Sequence, residues 1–296
     1  GNEPSGRWVP WVSKFVDYWK ATDPRHVYTG ASVGGSWQWQ PHNQYHVKAG
    51  ARGLSWAGSQ PESMSDYRAK IDSVKQPYVS HETGQWCAFP NFSEIRKYTG
   101  VNKAKNFEIF RDILNDNHMG SMGHDFMMAS GKLQAICYKH EIEKTLRTPD
   151  YAGFQLLALN DYSGQGTALV GLLDVFFEEK GYINADEFRR FCSPTVPLAR
   201  IPKFVYTNDE TFHADIEVSH FGAAPLQGAK TVYSIKDEYG KVYAHGTVGT
   251  QDIPVGNLCQ LGSVDMKLNG ITTPQKLNME IRIEGSNAIN DWDFWV

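Results

Sequence analysis

The sequence predicts an α/β domain followed by an all-β domain, and three observations carry that expectation. Up to residue 203, short apolar runs alternate with segments of helical period, the pattern of parallel strands joined by helical crossovers. Beyond residue 204 the period becomes two. Phe212, Ala214, Ile216 and Val218 alternate there with His213, Asp215, Glu217 and Ser219, and Leu277, Met279, Ile281 and Ile283 repeat the pattern, as the strands of a β-sandwich do. Between the two textures Pro194, Pro197 and Pro202 read as a linker. The expected domains are therefore 1–203 and 204–296.

Taken in order, Trp8 to Ala21 reads as a helix, because Trp8, Trp11, Val12, Phe15, Val16 and Trp19 recur on one face, and Asp23-Pro24 stops it. Val27 to Ala31 reads as a short buried strand. Ser32 to Ser65 shows no periodicity and reads as one long loop, of the length that compact domains keep for function. A helix is expected over Asp66 to Val74 and a strand over Gln76 to His81, with Glu82 at its C-terminal end. Pro90 to Thr99 is a connection with a short helix in it. Helices follow at Asn106 to Met119 and His124 to Leu146. The second of these is expected to bury Phe126, Met127, Leu133, Ile136 and Cys137, with Lys139 and Glu143 as an outer i,i+4 pair. Gly153 to Leu159 is a buried strand closed by Asn160-Asp161, and Asp186 to Cys192 a last helix. In the second domain Asp237-Glu238-Tyr239-Gly240 is a hairpin turn, and the run ending at Val296 is strand-like.

Composition narrows the function classes. A net charge of −4 over 296 residues gives no electrostatic footprint for nucleic acid or an anionic membrane. No apolar run is long enough to span a bilayer. Four scattered cysteines, Cys87, Cys137, Cys192 and Cys259, lack metal-type spacing and read as buried free thiols. No G-x-S-x-G elbow is present, which argues against a serine hydrolase. His42 and His46 have helix-like spacing but no acidic or Cys partner arranged around them, so no metal and no cofactor is expected. Aromatic residues make up 13%, including nine Trp, and sugar sites use such flat faces.

Two short stretches carry the candidate chemistry, Gly1-Asn2-Glu3-Pro4-Ser5-Gly6 and Ser80-His81-Glu82-Thr83-Gly84. Each sets a carboxylate among small and polar residues, and the second follows a strand-like run. A retaining glycoside hydrolase needs such a pair, one carboxyl holding a proton for the leaving oxygen and one ionised to attack the sugar carbon.

The residues resemble glycoside hydrolase family 2, the group of β-galactosidases, β-glucuronidases and β-mannosidases. In that family the acid/base Glu follows an Asn at the end of the fourth barrel strand, then come a helix and a DP-x-R/H-x-V-like turn. Gly1-Asn2-Glu3, the Trp-rich helix and Asp23-Pro24-Arg25-His26-Val27-Tyr28 match that order. Gln76-Pro77-Tyr78-Val79-Ser80-His81-Glu82-Thr83-Gly84 fits the family's nucleophile pattern at the seventh strand, and Gly153-Phe154-Gln155 resembles the start of its eighth. The resemblance implies the second half of a (β/α)8 TIM barrel, strands five to eight, over 1–203, and an immunoglobulin-like β-sandwich over 204–296. It implies Glu3 as acid/base and Glu82 as nucleophile, acting on an oligosaccharide or polysaccharide. Asn2, His81, Trp37, Trp39, Trp56 and Asp161 are the implied or candidate sugar-binding residues, with Gln165 beside Asp161 after the last barrel strand.

The chain departs from the family pattern at Leu156 to Asp161, where an aromatic-rich strand end is usual. An Asn-x-Lys signature of glucuronidases is not evident near Phe176 to Gly181, which weighs against a uronic acid. The first residue already sits in a motif, so a fragment of a longer protein is expected, with Glu3 on a mobile terminus and little turnover by this chain alone. The alternative reading is a non-catalytic saccharide-binding or structural piece.

Overall fold

The computed structural model describes residues 1–4, 7–35, 37, 39–166 and 168–296; Ser5 and Gly6 of the first carboxylate motif lie outside the described residues. Two compact units emerge, one of residues 1–53, 70–141 and 152–185, the other of 54–69, 142–151 and 186–296. The chain thus has mixed α/β content and, in its C-terminal part, antiparallel sheets.

In the first unit, helix α1 (Val9–Thr22) starts with a proline in its first turn, where a missing N–H costs nothing, and ends where the Asp23 N–H reaches the Trp19 carbonyl. Its burial centres on Trp8 and Val16, while Trp11, Phe15 and Tyr18 on the flank of the apolar face stay exposed. The strand expected at Val27 to Ala31 begins later, as β1 (Ser32–Val33). Side chains have taken two of the backbone donors that a strand would use: Tyr28 N–H bonds the Gln44 amide oxygen at 2.9 Å and Gly30 N–H that of Asn43 at 3.0 Å. Within the expected long loop lies β2 (His46–Lys48), three residues that are too short to show a period. The helix expected over Asp66 to Val74 shrinks to α2 (Arg68–Ile71).

Next comes β3 (Tyr78–Thr83), which includes Glu82 instead of stopping before it. A 3-10 turn, Phe92–Lys97, is capped by the Asn91 side chain. Helices α3 (Lys105–Asp116) and α4 (Gly123–Leu146) follow, then β4 (Tyr151–Leu156). The sheet order is β1-β2-β3-β4, with β1–β2 and β2–β3 parallel. Asn2 adds a parallel bridge to Ser32. The first residues are tied down where fraying was expected. The Gly1 ammonium donates to the Gly30 carbonyl at 2.8 Å, Ser32 N–H to Gly1 at 2.9 Å and Glu3 N–H to Ser32 at 2.8 Å.

Two expectations for α4 fail. Leu133 and Ile136 are 59% and 45% exposed, and the face turned inward carries Met127, Gln134, Tyr138 and Glu141. Glu143 is not an outer residue. It is fully buried, accepting from Asn290 Nδ2 at 2.8 Å and Trp292 Nε1 at 3.0 Å, with Arg147 3.5 Å away. The cysteines are free, but only Cys137 is buried, and burial pushes its thiol up to about 11. Cys87 is exposed.

Helix α5 (Ala185–Phe191) leads into the second unit's sheets. The expected proline linker holds a strand, β5 (Thr195–Arg200), paired antiparallel with β6 (Thr211–His220). Strands β7 (Leu226–Asp237), β8 (Val242–Ile253), β9 (Gly256–Lys267), β10 (Lys276–Ile283) and β11 (Ile289–Trp295) complete two sheets, β5-β6-β9 and β11-β10-β7-β8. Pro197 is tolerated because β5 is an edge strand with one side free of ladder bonds. The apolar half of the alternation behaves as its period predicts, since Phe212, Ala214, Ile216 and Val218 from β6, and Leu277, Met279 and Ile281 from β10, are fully buried, but the polar Glu217 and Ser219 of β6 are buried as well. Phe212 and Phe294 stack at 4.1 Å in this core. The Asp237 turn joins β7 to β8 as expected, with Gly240 at φ 84°.

One buried acid in the first unit stands unpaired. Glu94, in the 3-10 turn, is 1% exposed, and among the described residues neither carboxyl oxygen has a hydrogen-bond partner. Burial, then the charge of Asp174, raises its pKa from 4.5 to about 7, against the lowering pull of Lys180 and Lys97. An unfolded Glu gives up its proton near 4.5, so between 4.5 and about 7 the folded state binds more protons and stability falls as pH rises. Glu94→Gln should therefore raise Tm at pH 8 while changing it little at pH 4.5, read by thermal melts at both values. An equal shift at the two pH values would contradict this.

Candidate active site

The end of β3 places the second carboxylate. Glu82 has φ 54° and Gly84 φ 80°, so the strand turns sharply through left-handed backbone, which costs a non-glycine residue on the order of 1–2 kcal/mol. Arg52 holds the bend, its Nη1 donating to the His81 carbonyl at 2.6 Å and the Glu82 carbonyl at 2.9 Å. Gly84 cannot carry a side chain here, because a Cβ would lie 2.0 Å from the Tyr138 ring of α4. The Tyr138 hydroxyl is 2.6 Å from the Gly84 carbonyl.

The bend presents Glu82 in one orientation. Its Oε2 accepts from Gln85 Nε2 at 3.1 Å and lies 3.5 Å from Arg52 Nη1. Its Oε1 faces His81 Nε2 at 3.7 Å, and Glu3 Oε1 lies 3.7 Å from the same nitrogen. One carboxylate oxygen of Glu3, one of Glu82 and a ring nitrogen of His81 all fall within 4.8 Å of one another. The two acids sit in unlike surroundings, the Glu3 side chain 49% exposed and that of Glu82 21%. A cleft of about 200 Å³ lies beside Glu82, lined by Arg52, Gly53, Gln85, Trp86 and Glu141.

Glu141 braces that cleft from α4. It is 1% exposed and accepts from Gly53 N–H at 2.7 Å and Trp86 Nε1–H at 2.7 Å. Burial raises its pKa, against the lowering by these donors, the Gly84 N–H and the Arg52 charge. Arg52, Gln85, Trp86 and Glu141 were not singled out from the sequence. The spacing of Gln134, Tyr138 and Glu141 along one helix face does carry a signal, a polar stripe on the side turned inward.

The other candidates are placed as follows. Asn2 is exposed and engages Ser32 through its backbone. Trp37 packs edge-on to Trp8, and Trp39 edge-on to His46 and Tyr78, with the Lys48 ammonium 4.6 Å from its ring. Trp56 packs on the core of the second unit beside Phe204. Asp161 is 1% exposed, ion-paired to Lys180 at 2.5 Å and accepting from Gly171 N–H at 2.9 Å. Burial raises its pKa, opposed by Lys180. Gln165 lies in an exposed 3-10 turn, Ser163–Gln165. His42 pairs with Asp17 at 2.7 Å, and His46 is buried, which lowers its pKa. The structure therefore gathers Glu3, His81 and Glu82, and gives Asp161 and Trp56 packed surroundings.

Residues 210–296 match a family described as a domain of unknown function, DUF8488. No curated protein matches the chain. Similar solved structures include glycoside hydrolases. The exo-chitosanase CsxA of Amycolatopsis orientalis is 10% identical over 90% of this chain and 36% of its own, with a TM-score of 0.44. An FMN-binding β-glucuronidase from Facaelibacterium prausnitzii L2-6 is 10% identical over 99% of this chain and 38% of its own, with a TM-score of 0.33. The β-glucuronidase of Parabacteroides merdae is 13% identical over 34% of this chain and 13% of its own, with a TM-score of 0.25. The chain thus spans well under two thirds of the length of these proteins.

Removing the Glu141 carboxylate leaves the Gly53, Trp86 and Gly84 N–H groups without this acceptor, at about 3 kcal/mol. Glu141→Ala should lower the urea midpoint accordingly, and Glu141→Gln, which keeps one acceptor oxygen, should lower it less. A loss below about 0.5 kcal/mol in the alanine variant would remove the bracing role.

Proposed function

We propose that Glu3 and Glu82 are the catalytic pair of a retaining exo-β-glycosidase of the β-galactosidase type. The observation that carries this reading is the spacing of the two acids. Carboxylate oxygens within 4.8 Å of each other fit the ~5–5.5 Å carboxyl separation of retaining enzymes better than the ~6.5–9.5 Å of inverting ones. Glu82 attacks the anomeric carbon through Oε1, because Gln85 and Arg52 engage Oε2 and leave Oε1 turned to the shared space. Glu3, half in solvent, protonates the leaving oxygen. It then takes a proton from the water that releases the glycosyl-enzyme.

The architecture is compatible with this reading. Parallel pairing from Asn2 through β1, β2 and β3, in sequence order, fits the end of the fourth strand and the strands from the fifth on in a (β/α)8 barrel. The sheets β5-β6-β9 and β11-β10-β7-β8 follow the A-B-E and G-F-C-C′ arrangement of immunoglobulin-like sandwiches. We assign residues 1–203 to the partial barrel and 204–296 to the sandwich, with β5 as the sandwich's entering strand. The substrate is an oligosaccharide or polysaccharide bearing a terminal β-linked sugar.

An activated 2-fluoro glycoside tests the pair even where turnover is slow, since it accumulates the covalent intermediate. Peptide mapping should find the label on Glu82 across a galacto, gluco, manno and glucurono panel, in at least one member. Glu3→Gln should slow hydrolysis of an aryl glycoside with a poor leaving group by about 10²–10⁴-fold and one with a good leaving group far less. A label on another residue, or no label with any sugar, would overturn the assignment.

A further inference from the structure

His81 raises a question that acid/base chemistry leaves open. Its side chain is 6% exposed, yet among the described residues neither ring nitrogen has a hydrogen-bond partner. A buried imidazole without a partner is costly, and native proteins rarely leave one so. Its Nε2 is aimed between two carboxylate oxygens at 3.7 Å each, too far for hydrogen bonds and close enough to share a third body. The arrangement of Glu82 matches. Its Oε2 is engaged by Gln85 and Arg52, while Oε1 is the oxygen turned to His81.

We propose that Glu3, His81 and Glu82 bind a divalent first-row metal ion that favours mixed oxygen and nitrogen ligands, of the Mn²⁺ class. An ion about 2.1 Å from each ligand needs ligand atoms roughly 3–4 Å apart. Both imidazole–carboxylate spacings already meet that, at 3.7 Å. The wider carboxylate–carboxylate gap lies within 4.8 Å, and the half-exposed Glu3 side chain has the freedom to close it. Two carboxylates supply two negative charges, and Arg52, the cation among the described residues that line the cleft, lies on the Oε2 side of Glu82, away from the ligand oxygen. Water fills the remaining coordination positions.

The consequence for hydrolysis rests on the glycosidase reading; the metal site itself does not. A bound ion occupies the oxygen proposed for attack and one oxygen of the proposed acid/base. Metal and terminal sugar therefore exclude each other, and the ion is an inhibitor of the pair.

The test is a Mn²⁺ titration of the chain followed by the EPR signal of free ion, with no sugar present. Saturable 1:1 binding is expected. His81→Ala and Glu3→Gln should each weaken it by about 10-fold or more. Asp17→Asn, at the exposed His42–Asp17 pair, should leave it unchanged. Glu3 is half exposed, so its variant keeps the fold, and far-UV circular dichroism checks both. Lack of saturable binding, or binding that survives either His81→Ala or Glu3→Gln, overturns the site. Fluoro-sugar trapping run in parallel separates the two readings: Mn²⁺ binding without a Glu82 label leaves the metal site and removes the glycosidase, and a label without Mn²⁺ binding does the reverse.

Discussion

Everything proposed for this chain depends on the bend at the end of β3. Strand backbone would carry Glu82 straight on, with alternate side chains on opposite faces of the sheet. Instead the chain enters left-handed backbone at Glu82 and again at Gly84, and one residue of the pair bears a side chain. Strain of this kind persists only where the surroundings over-determine it. Here they do. Arg52 ties two successive carbonyls from one side, and the Tyr138 ring fills the space a Cβ at position 84 would need from the other. Behind both, Glu141 fastens Gly53, next to Arg52, and Trp86, just past the bend. One helix face, Tyr138 and Glu141 of α4, thus fixes the direction of a carboxylate that it does not touch.

The same unit uses buried charge sparingly and for position. Asp161 and Lys180 form a closed pair under Gly171, where a Cβ would lie 2.2 Å from the Asp161 nitrogen, so only glycine fits. In the other unit Glu143 takes donors from Asn290 and Trp292 of β11, and Asn290 also reaches the Pro197 carbonyl of β5. Such groups stabilise little in net terms, but each is costly to leave half-satisfied, so they penalise misplaced strands. The proposed catalytic acids differ in kind. Neither is sealed, and each keeps an oxygen within reach of a shared space.

Much of the β part was legible, because a period of two over eight or more residues has few rival explanations. β6 and β10 bury the residues their alternation marks. What was missed had weak local signals. β5 was hidden by Pro197, a residue that an edge strand accepts. β2 is three residues long, and β1 two. In α4 hydrophobicity misled, since Leu133 and Ile136 face outward while Gln134, Tyr138 and Glu141 face in, the reverse of an ordinary amphipathic helix. Of the candidate site, Glu3, His81 and Glu82 were named from motif order, and the structure brings one atom of each within 4.8 Å of the others. Arg52 acts through backbone carbonyls of another segment, contacts that no single-segment pattern records, whereas Glu141 belongs to the polar stripe of α4 that a hydrophobic pattern passes over.

The central claim is that Glu3 and Glu82 work as a retaining pair, and the configuration of the released sugar tests it most directly. Proton NMR of the anomeric region, followed during hydrolysis of an aryl β-glycoside at protein concentrations high enough to expose slow turnover, reports the first-formed anomer before mutarotation. The account predicts the β anomer first, the α anomer growing only as mutarotation proceeds. An α anomer formed first would mean inversion by a single displacement and would contradict it.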